Sequence, residues 1–167
     1  FAGEEIYGDN TDGAGLVRDI EANLGFALAG KRVLLLGAGG AARGVIVPLL
    51  ACRPLGLFIA NRSAGKAEAL ARQFADLAAV DAGNFAKTAG KQFDAVINAT
   101  SACLAYDMMY GKGETPFLAL SRAQGAEYLA DGLGMLVEQA AEAFLVWRGV
   151  RPDSVPVLAA LREQLKA

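Results

Sequence analysis

The stretch Lys31-Arg-Val-Leu-Leu-Leu-Gly-Ala-Gly-Gly-Ala-Ala-Arg-Gly44 decides the fold that the rest of this sequence must satisfy. Its four apolar residues, Val33–Leu36, are too few for a helix and predict a buried strand. A helix is predicted directly after the glycines, from about Ala41 to Ala51. A strand, a glycine-rich turn and a helix in this order indicate an α/β protein. Taken alone, the turn is also compatible with an α/β protein that binds no nucleotide.

The turn itself, Gly37-Ala-Gly-Gly-Ala-Ala42, fits the G-x-G-x-x-A fingerprint of dinucleotide-binding folds. Gly37 permits the tight turn out of the strand, and Gly39 lets the backbone approach a pyrophosphate. Ala42 is small enough for the helix to pack closely on the strand. The helix would direct its free N–H groups, from Ala41 onward, and its positive dipole end at the phosphates.

The remainder of the chain alternates short apolar runs with helical patterns, which is typical of a parallel sheet. Further strands are predicted at Leu57–Ala60, Ala78–Val80, Phe93–Asn98, Leu104–Met109 and Glu127–Leu129. Further helices are predicted after Asn10–Gly13, around Ala67–Phe74, from a Thr115 cap with Pro116 at its first position, over Leu133–Trp147 and from Asp153 or Ser154. The predicted fold class is α/β, a Rossmann-like, doubly wound and mainly parallel sheet with helices on both faces.

One interval conflicts with this fold. The strand ending at Asn98 and the strand beginning at Leu104 are separated by only a few residues. Parallel neighbours need a crossover of about a dozen residues or more. Either these two strands pair antiparallel, or part of the chain is absent between Ser101 and Ala105. We favour the second explanation.

The composition limits the classes of function open to the chain. Its 167 residues carry a net charge of −2 with no charged block, which argues against a nucleic-acid surface. The sequence contains no histidine, which excludes a histidine triad, metal site or general base within it. Cys52 and Cys103 form no zinc or C-x-x-C pattern, and no long apolar run or secretory signal is visible. We therefore expect a cytoplasmic protein without a metal site.

The residues after the second strand, Asn61-Arg-Ser63, bear on the choice of cofactor. Folds that bind NAD place an acidic residue at this strand end, where it contacts the ribose 2′-hydroxyl. Here Arg62 stands at that point, with Lys66 one helical turn further on. Two cations suit a 2′-phosphate and predict NADP. The alternative is a solvated pair, although cations are unfavourable at a helix N-terminus unless an anion is present.

Several other polar residues have a plain interpretation beside a functional one. From spacing alone, Asp12 is best explained as a helix-capping carboxylate. Lys112 and Glu114 fit an exposed ion pair in a turn, and Gln139 fits a solvent-facing position. Three large apolar residues of the last part of the chain are expected in the core: Met135, Leu136 and Phe144.

Taken together, six segments resemble the shikimate dehydrogenase family of NADP-dependent enzymes. In chain order they are Asn10-Thr-Asp-Gly13, Gly37-Ala-Gly-Gly-Ala-Ala42, Asn61-Arg-Ser63, Asn98-Ala-Thr-Ser101, Tyr106-Asp-Met-Met-Tyr-Gly-Lys-Gly-Glu-Thr-Pro-Phe117 and Asp131-Gly-Leu-Gly-Met-Leu-Val-Glu-Gln139. The resemblance runs over nearly all of the chain. The family carries a longer segment before Tyr106-Asp-Met, which agrees with the crossover argument.

The resemblance implies a role for each matching residue. Asp12 matches the aspartate of a catalytic Lys–Asp pair that handles the proton and holds the reacting oxygen. The implied substrate-side residues are Asp12, Tyr110 and Gln139. The implied cofactor-binding residues are Gly37, Gly39, Gly40, Ala41, Asn61, Arg62, Lys66, Thr100, Met108 and Gly132. The implied reaction is hydride transfer from NADPH to the ketone of 3-dehydroshikimate, giving shikimate.

The resemblance covers the family's cofactor domain and its returning C-terminal helices. We therefore expect residues 1–167 to form an NADP-binding Rossmann domain with hinge helices at both ends, as a fragment of a two-domain enzyme. The family's catalytic lysine lies in the substrate domain, and Lys31 and Lys112 do not match its motif. The fragment should bind cofactor without turnover. A quinate/shikimate dehydrogenase paralogue and a non-catalytic NADP-binding module are the alternatives, and a homodimer is left open.

Overall fold

The apolar run after Arg32 forms a central strand of a six-stranded sheet. The structure is a computed structural model, which describes residues 10–98 and 104–166. The strands are β1 (Arg32–Leu36), β2 (Gly56–Ala60), β3 (Val80–Gly83), β4 (Ala95–Ile97), β5 (Leu104–Asp107) and β6 (Tyr128–Asp131). Their spatial order is β3-β2-β1-β4-β5-β6, and all five pairings are parallel. This is the doubly wound order, with its switch point between β1 and β4, so the predicted fold class is confirmed.

Six α-helices connect and cover these strands in the described part of the chain. They are α1 (Asp12–Arg18), α2 (Gly40–Ala51), α3 (Ala64–Arg72), α4 (Pro116–Ala123), α5 (Leu133–Arg148) and α6 (Val155–Lys166). A wider π-helical turn, Asp19–Asn23, continues α1, and a 3₁₀ turn, Phe85–Thr88, lies between β3 and β4. The predicted Thr115 cap of α4 is confirmed, because Thr115 Oγ1 accepts a hydrogen bond from the Leu118 N–H at 3.3 Å.

Two predicted strands are displaced along the chain. The third strand was expected at Ala78–Val80 and forms at Val80–Gly83, and the sixth was expected at Glu127–Leu129 and forms at Tyr128–Asp131. In both, parallel pairing with the neighbouring strand sets the bounds, and polar Asp81 and Asp131 are included because they pair with Phe58 and Asp107. The pairing partner of a strand cannot be predicted from its apolar run, so the run alone does not predict where the strand begins and ends.

The β4–β5 pairing decides between the two explanations of the short interval. The two strands are parallel, with Ala95 opposite Leu104 and Ile97 opposite Tyr106. The antiparallel alternative is therefore wrong. Residues 98–103 are all that connects the two strands, which is short for a parallel crossover. Of the two explanations of the short interval, a shortened crossover is the one that agrees with parallel pairing of β4 and β5.

The core lies on both faces of the sheet, as a parallel sheet requires. Alternate residues of β1 point to opposite faces: Val33 and Leu35 belong to the large cluster under α1, α2 and α3, while Leu34 belongs to a smaller cluster with Phe58 and Val96. All five of these side chains are at most 6% exposed. The apolar run is thus buried on both sides, which explains why it contains no polar residue.

Helix α1 lies between α2 and α5 at unusually close range. A Cβ on Gly13 would come within 2.5 Å of Pro48 Cγ on α2. A Cβ on Gly15 would come within 2.5 Å of the backbone nitrogen of Gln139 on α5. Glycine at both positions is what allows the three helices to meet. The start of α1, with Asp12, is thereby fixed against both neighbours.

Glu138, on α5, is the centre of a buried polar network at the other end of this contact. Its side chain is 2% exposed and accepts hydrogen bonds from Asn23 Nδ2 at 3.1 Å and Ser154 Oγ at 2.7 Å. It also forms ion pairs with Arg18 and Arg151. Burial acts to raise the pKa of Glu138, but the hydrogen bonds from Ser154, Asn23 and Arg151 outweigh it and hold the pKa below its ordinary value. The network joins α1, the π-helical turn, α5 and the segment before α6.

A second buried carboxyl group, Asp19, links the same region to the sheet. Tyr106 on β5 donates its hydroxyl to Asp19 Oδ2 at 2.7 Å, and the same hydroxyl accepts a hydrogen bond from the Met135 N–H at 3.3 Å. Burial raises the pKa of Asp19, and burial together with the Asp19 charge raises that of Tyr106. The first turn of α5 is therefore held to β5 through one tyrosine.

Replacing Glu138 with glutamine tests the first of these networks. The change is expected to lower the free energy of unfolding by about 3 kcal/mol, the lower end for breaking a buried ion pair, because Arg151 keeps Glu142 as a second partner. Urea unfolding at pH 7 measures the effect. The matched control is Glu68→Gln: Glu68 forms an exposed pair with Lys87, so its loss is expected to stay below about 1 kcal/mol.

The same comparison has a pH dependence with a definite sign. Because the pKa of Glu138 is lowered by folding, its contribution is present above the unfolded value of about 4.3 and is lost as the pH falls below it. The difference between wild type and Glu138→Gln should therefore shrink in acid. A penalty equal to that of Glu68→Gln, or one that grows in acid, would contradict the role of this network.

Candidate cofactor and catalytic site

The carboxyl ends of the strands bring the predicted site residues to one edge of the sheet. All strands are parallel, so the residues that follow them lie at the same edge, which is where doubly wound sheets bind ligands. The residues directly after β1, β2, β4 and β6 are Gly37, Asn61, Asn98 and Gly132. Met108 follows β5 in the same way.

The glycine turn has the geometry that its sequence predicts. Gly37 has a φ of +102°, which favours glycine, and its N–H donates to Ala60 O at 2.8 Å. Helix α2 begins at Gly40, with Gly39 at the N-cap position. A Cβ on Gly39 or Gly40 would meet no atom within 4 Å. Protein packing therefore does not explain these two glycines, and the open space at the helix N-terminus fits a pyrophosphate.

A cleft of about 200 Å³ lies beside this turn and gathers the residues predicted to recognise the 2′-phosphate. Its lining is Ala38, Gly39, Asn61, Arg62, Ser63 and Lys66. Asn61 Nδ2 donates to Ser63 O at 3.1 Å, which holds the start of α3. Arg62 and Lys66 are exposed, and neither has an ion pair with any residue that the structure describes. Two unpaired cations at the start of a helix fit a bound phosphate.

Asp12 is the first residue of α1 and is half-buried. Its backbone N–H donates to Asn10 Oδ1 at 2.8 Å, so the Asn10 side chain does the work expected of a cap. Thr11 occupies the N-cap position but makes no side-chain capping bond. Within the described residues the Asp12 carboxylate has neither a hydrogen bond nor an ion pair. The interpretation of Asp12 as a capping carboxylate is therefore wrong, and its oxygens are free to bind a ligand.

Gln139 contacts α1 on both sides of Asp12 in the sequence, at Thr11 and at Gly15. Thr11 Oγ1 donates to Gln139 Oε1 at 3.3 Å, and Gln139 Nε2 donates to Leu136 O at 3.2 Å. The side chain is half-buried, so the interpretation of Gln139 as solvent-facing is wrong. The structure thus brings the predicted catalytic residue and one predicted substrate-side residue together.

The segment after β5 contains the remaining predicted residues. Met108 is half-buried against Gly132, whereas Tyr110 is 45% exposed and has no hydrogen bond to Asp12 or Gln139 in the described chain. Thr100 lies outside the described residues. Arg122 pairs with Glu114 at 2.7 Å, so the expected pair between Lys112 and Glu114 is wrong.

Two of the expected core residues on α5 are not buried. Met135 is 9% exposed and belongs to the main cluster, as expected. Leu136 and Phe144 are 36% and 46% exposed, because they line an open cleft between α5 and α6. In the parts of the chain described, 10–98 and 104–166, no helix is long and apolar enough to cross a membrane.

A doubly wound sheet with a glycine turn, an open helix N-terminus and a cation-lined cleft is typical of a dinucleotide-binding domain. Two family models match the chain. One is described as shikimate / quinate 5-dehydrogenase and covers residues 20–107; the other is described as shikimate 5′-dehydrogenase C-terminal domain and covers residues 132–162. The chain belongs to the shikimate dehydrogenase family, which confirms the resemblance.

Individual relatives agree with this assignment. The shikimate dehydrogenase (NADP(+)) of Dechloromonas aromatica is 66% identical over 100% of this chain and 67% of its own length. Among solved structures, an Ael1 enzyme from Pseudomonas putida has a TM-score of 0.85 at 51% identity, with 91% of this chain and 62% of that chain covered. A shikimate dehydrogenase in complex with NADP⁺ has a TM-score of 0.78 at 29% identity, with 95% and 62% covered. The chain spans about two thirds of the length of the curated relatives it matches.

The alignment with the Dechloromonas aromatica relative also bears on the short crossover. It runs over 184 residues while covering all 167 residues of this chain, so the relative carries residues that have no counterpart here. The β4–β5 connection is the place in the fold where a crossover of ordinary length is lacking. A shortened connection at this point accounts for both observations.

The double replacement of Arg62 and Lys66 with alanine tests the cation-lined cleft. Each cation is expected to supply about 1.5–3 kcal/mol to a bound phosphate through charge-assisted hydrogen bonds. Fluorescence titration should show a large loss of affinity for NADPH and little change for NADH. Arg72→Ala is the matched control, because Arg72 lies in the last turn of the same helix. Equal losses for the two cofactors would rule out recognition of the 2′-phosphate here.

Proposed function

We propose that the protein to which this chain belongs is a shikimate dehydrogenase (NADP(+)), an oxidoreductase that acts on a CH–OH group. It catalyses reversible hydride transfer from NADPH to the ketone of 3-dehydroshikimate, giving shikimate. The observation that carries the proposal is the unpaired Asp12 carboxylate, which lies at the end of the sheet that also holds the glycine turn and the Arg62–Lys66 cleft. The name of the 66% identical relative supports the same activity and the same cofactor.

Some residues of this chain would bind the cofactor, and others would bind the substrate. The N–H groups around Gly39 and Gly40 would hold the pyrophosphate, and Arg62 and Lys66 the 2′-phosphate. Bound NADPH supplies the hydride. Asp12 would hold the reacting oxygen and its proton together with a lysine that this sequence does not contain at a matching position. Three further residues follow the family resemblance: Tyr110 and Gln139 toward the substrate and Met108 toward the nicotinamide.

The domain boundary belongs to the same proposal. Residues 1–167 would be the NADP-binding domain with hinge helices at both ends, and the remaining third of the enzyme would bind most of the substrate. The cytoplasmic location and a homodimer stay predictions. The family description also names quinate, but Arg62 at the end of β2 favours NADP over a paralogue of broader cofactor choice. A non-catalytic NADP-binding module is separated from the enzyme by the first of the two tests that follow, because only the enzyme turns over 3-dehydroshikimate in its full-length form.

Replacing Asp12 with asparagine in the full-length enzyme tests its catalytic role. Turnover should fall by roughly 10²–10⁴, the range for losing an acid–base group. Folding and NADPH binding should stay unchanged, because the Asp12 carboxylate holds no other described group in place. Steady-state kinetics with 3-dehydroshikimate gives kcat, and thermal unfolding gives stability. Asp81→Asn, on the exposed edge strand β3, is the control, and full turnover in Asp12→Asn would remove Asp12 from the mechanism.

The chain as it stands should bind NADPH and fail to reduce 3-dehydroshikimate. The glycine turn and the Arg62–Lys66 cleft support cofactor binding, but positioning the ketone against the nicotinamide needs contacts that this domain would not supply alone. A binding titration and an NADPH-oxidation assay on the same preparation measure the two properties. Turnover at an ordinary enzymatic rate would show that the lysine is dispensable. Absence of binding would argue for a different function of the glycine turn.

A further inference from the structure

We propose that Asp107 is a positioning residue, which shapes the nicotinamide half of the cofactor site without touching the cofactor. The inference deepens the proposed function and rests on it. Asp107 is the last residue of β5, at the carboxyl edge of the sheet, and is only 4% exposed. No cation forms an ion pair with it among the residues that the structure describes. Its carboxylate is instead satisfied by neutral donors from three separate segments.

The first two donors fix the ends of neighbouring strands. Asn98 Nδ2 donates to Asp107 Oδ1 at 3.4 Å, and the Met109 N–H donates to the same oxygen at 3.1 Å. Asn98 follows β4 and has a φ of +64°, so the chain leaves that strand in a conformation that needs support. One carboxylate oxygen thus joins the residue that follows β4 to the backbone that follows β5.

The third donor fixes the start of helix α4. Thr115 Oγ1 donates to Asp107 Oδ2 at 2.6 Å and at the same time accepts from the Leu118 N–H, so the hydroxyl joins the carboxylate to the helix cap. Residues 108–114 lie between these two anchors, and Met108 and Tyr110 are among them. Asp107 therefore closes this loop at both of its ends.

The loop held in this way lies directly against the end of β6. Gly132 N–H donates to Met109 O at 3.1 Å, and a Cβ on Gly132 would collide with the backbone of Met108. The two backbones can approach this closely only while the turn after Asp107 keeps its place. A buried carboxylate is costly unless its hydrogen bonds are made. The buried Asp107 carboxylate is accounted for by its bonds to three segments: the residue after β4, the backbone after β5 and the start of α4.

The test separates the two halves of the cofactor by using two ligands on the 167-residue chain. NADPH probes the whole site, and adenosine 2′,5′-bisphosphate probes only the Arg62–Lys66 end. Asp107→Ala removes all three bonds. We expect NADPH affinity to fall by about tenfold or more, because the loop of residues 108–114 loses the bonds that hold it in place, while affinity for adenosine 2′,5′-bisphosphate stays within about twofold.

A milder variant and a matched control keep the test decisive. Asp107→Asn keeps an acceptor for the Met109 N–H but not one for the Thr115 hydroxyl, so its NADPH affinity should lie between wild type and Asp107→Ala. It also serves where Asp107→Ala fails to fold. Asp94→Asn is the control, because Asp94 accepts from the Arg32 N–H at 2.8 Å at the opposite edge of the sheet. It should leave both affinities unchanged.

The outcomes that overturn the inference differ from those that overturn the proposed function. Unchanged NADPH affinity in Asp107→Asn and in any folded Asp107→Ala, or equal losses for both ligands, would show that Asp107 does not position the nicotinamide half. Wild type that binds NADPH no more tightly than adenosine 2′,5′-bisphosphate would overturn it as well. Wild type that binds neither ligand would instead overturn the proposed function.

Discussion

The close approach of α1 to α2 and α5 is the constraint on which the rest of the site depends. Gly13 and Gly15 let backbone meet backbone and side chain at distances that any Cβ would block. Because α1 is fixed against α5, Gln139 contacts Thr11 and Gly15, close to Asp12 in the chain. Because α1 is fixed against α2, its start lies against the helix that follows the glycine turn. The cofactor side and the proposed catalytic side of the site are therefore parts of one packing arrangement.

Hydrogen bonds and ion pairs of two buried carboxyl groups, Glu138 and Asp19, stabilise this arrangement of helices. Glu138 gathers two arginines, Asn23 and Ser154, and Asp19 is joined through Tyr106 to the first turn of α5. Apolar packing is tolerant of small shifts, whereas hydrogen bonds with defined partners are not. The network thus restricts how α1, α5 and the segment before α6 pack against one another. The same two helices, α1 and α5, carry Asp12 and Gln139, whose relative positions the proposed reaction depends on.

Much of the fold and part of the site follow from the sequence alone. Val33–Leu36 and the turn from Gly37 to Ala42 have local patterns, so the strand, the helix and the fold class could be predicted. Arg62 and Lys66 could be placed because they follow a strand end. Asp107 and Glu138 could not, because their roles come from partners far apart in sequence: Asp107 is recognised only when Asn98 and Thr115 are seen beside it. The same reason explains the error at Glu114, whose partner Arg122 lies two turns into the next helix.

The short β4–β5 connection makes the contacts at the ends of these strands more important than they would be with a full crossover. A crossover helix normally packs across the sheet and holds two parallel strands in register from outside. With only residues 98–103 between them, β4 and β5 are held in register by their own backbone hydrogen bonds and by the contacts at their carboxyl ends.

Asn98 makes two of these contacts. Its N–H donates to Tyr106 O at 2.7 Å, and its side-chain Nδ2 donates to Asp107 Oδ1. These two bonds act on consecutive residues of β5. One of these residues, Tyr106, is hydrogen-bonded to Asp19 and to the first turn of α5, and the other, Asp107, is hydrogen-bonded to Thr115 at the start of α4. The end of β4 is in this way connected to both sides of the proposed substrate site, although only residues 98–103 separate it from β5 in the sequence.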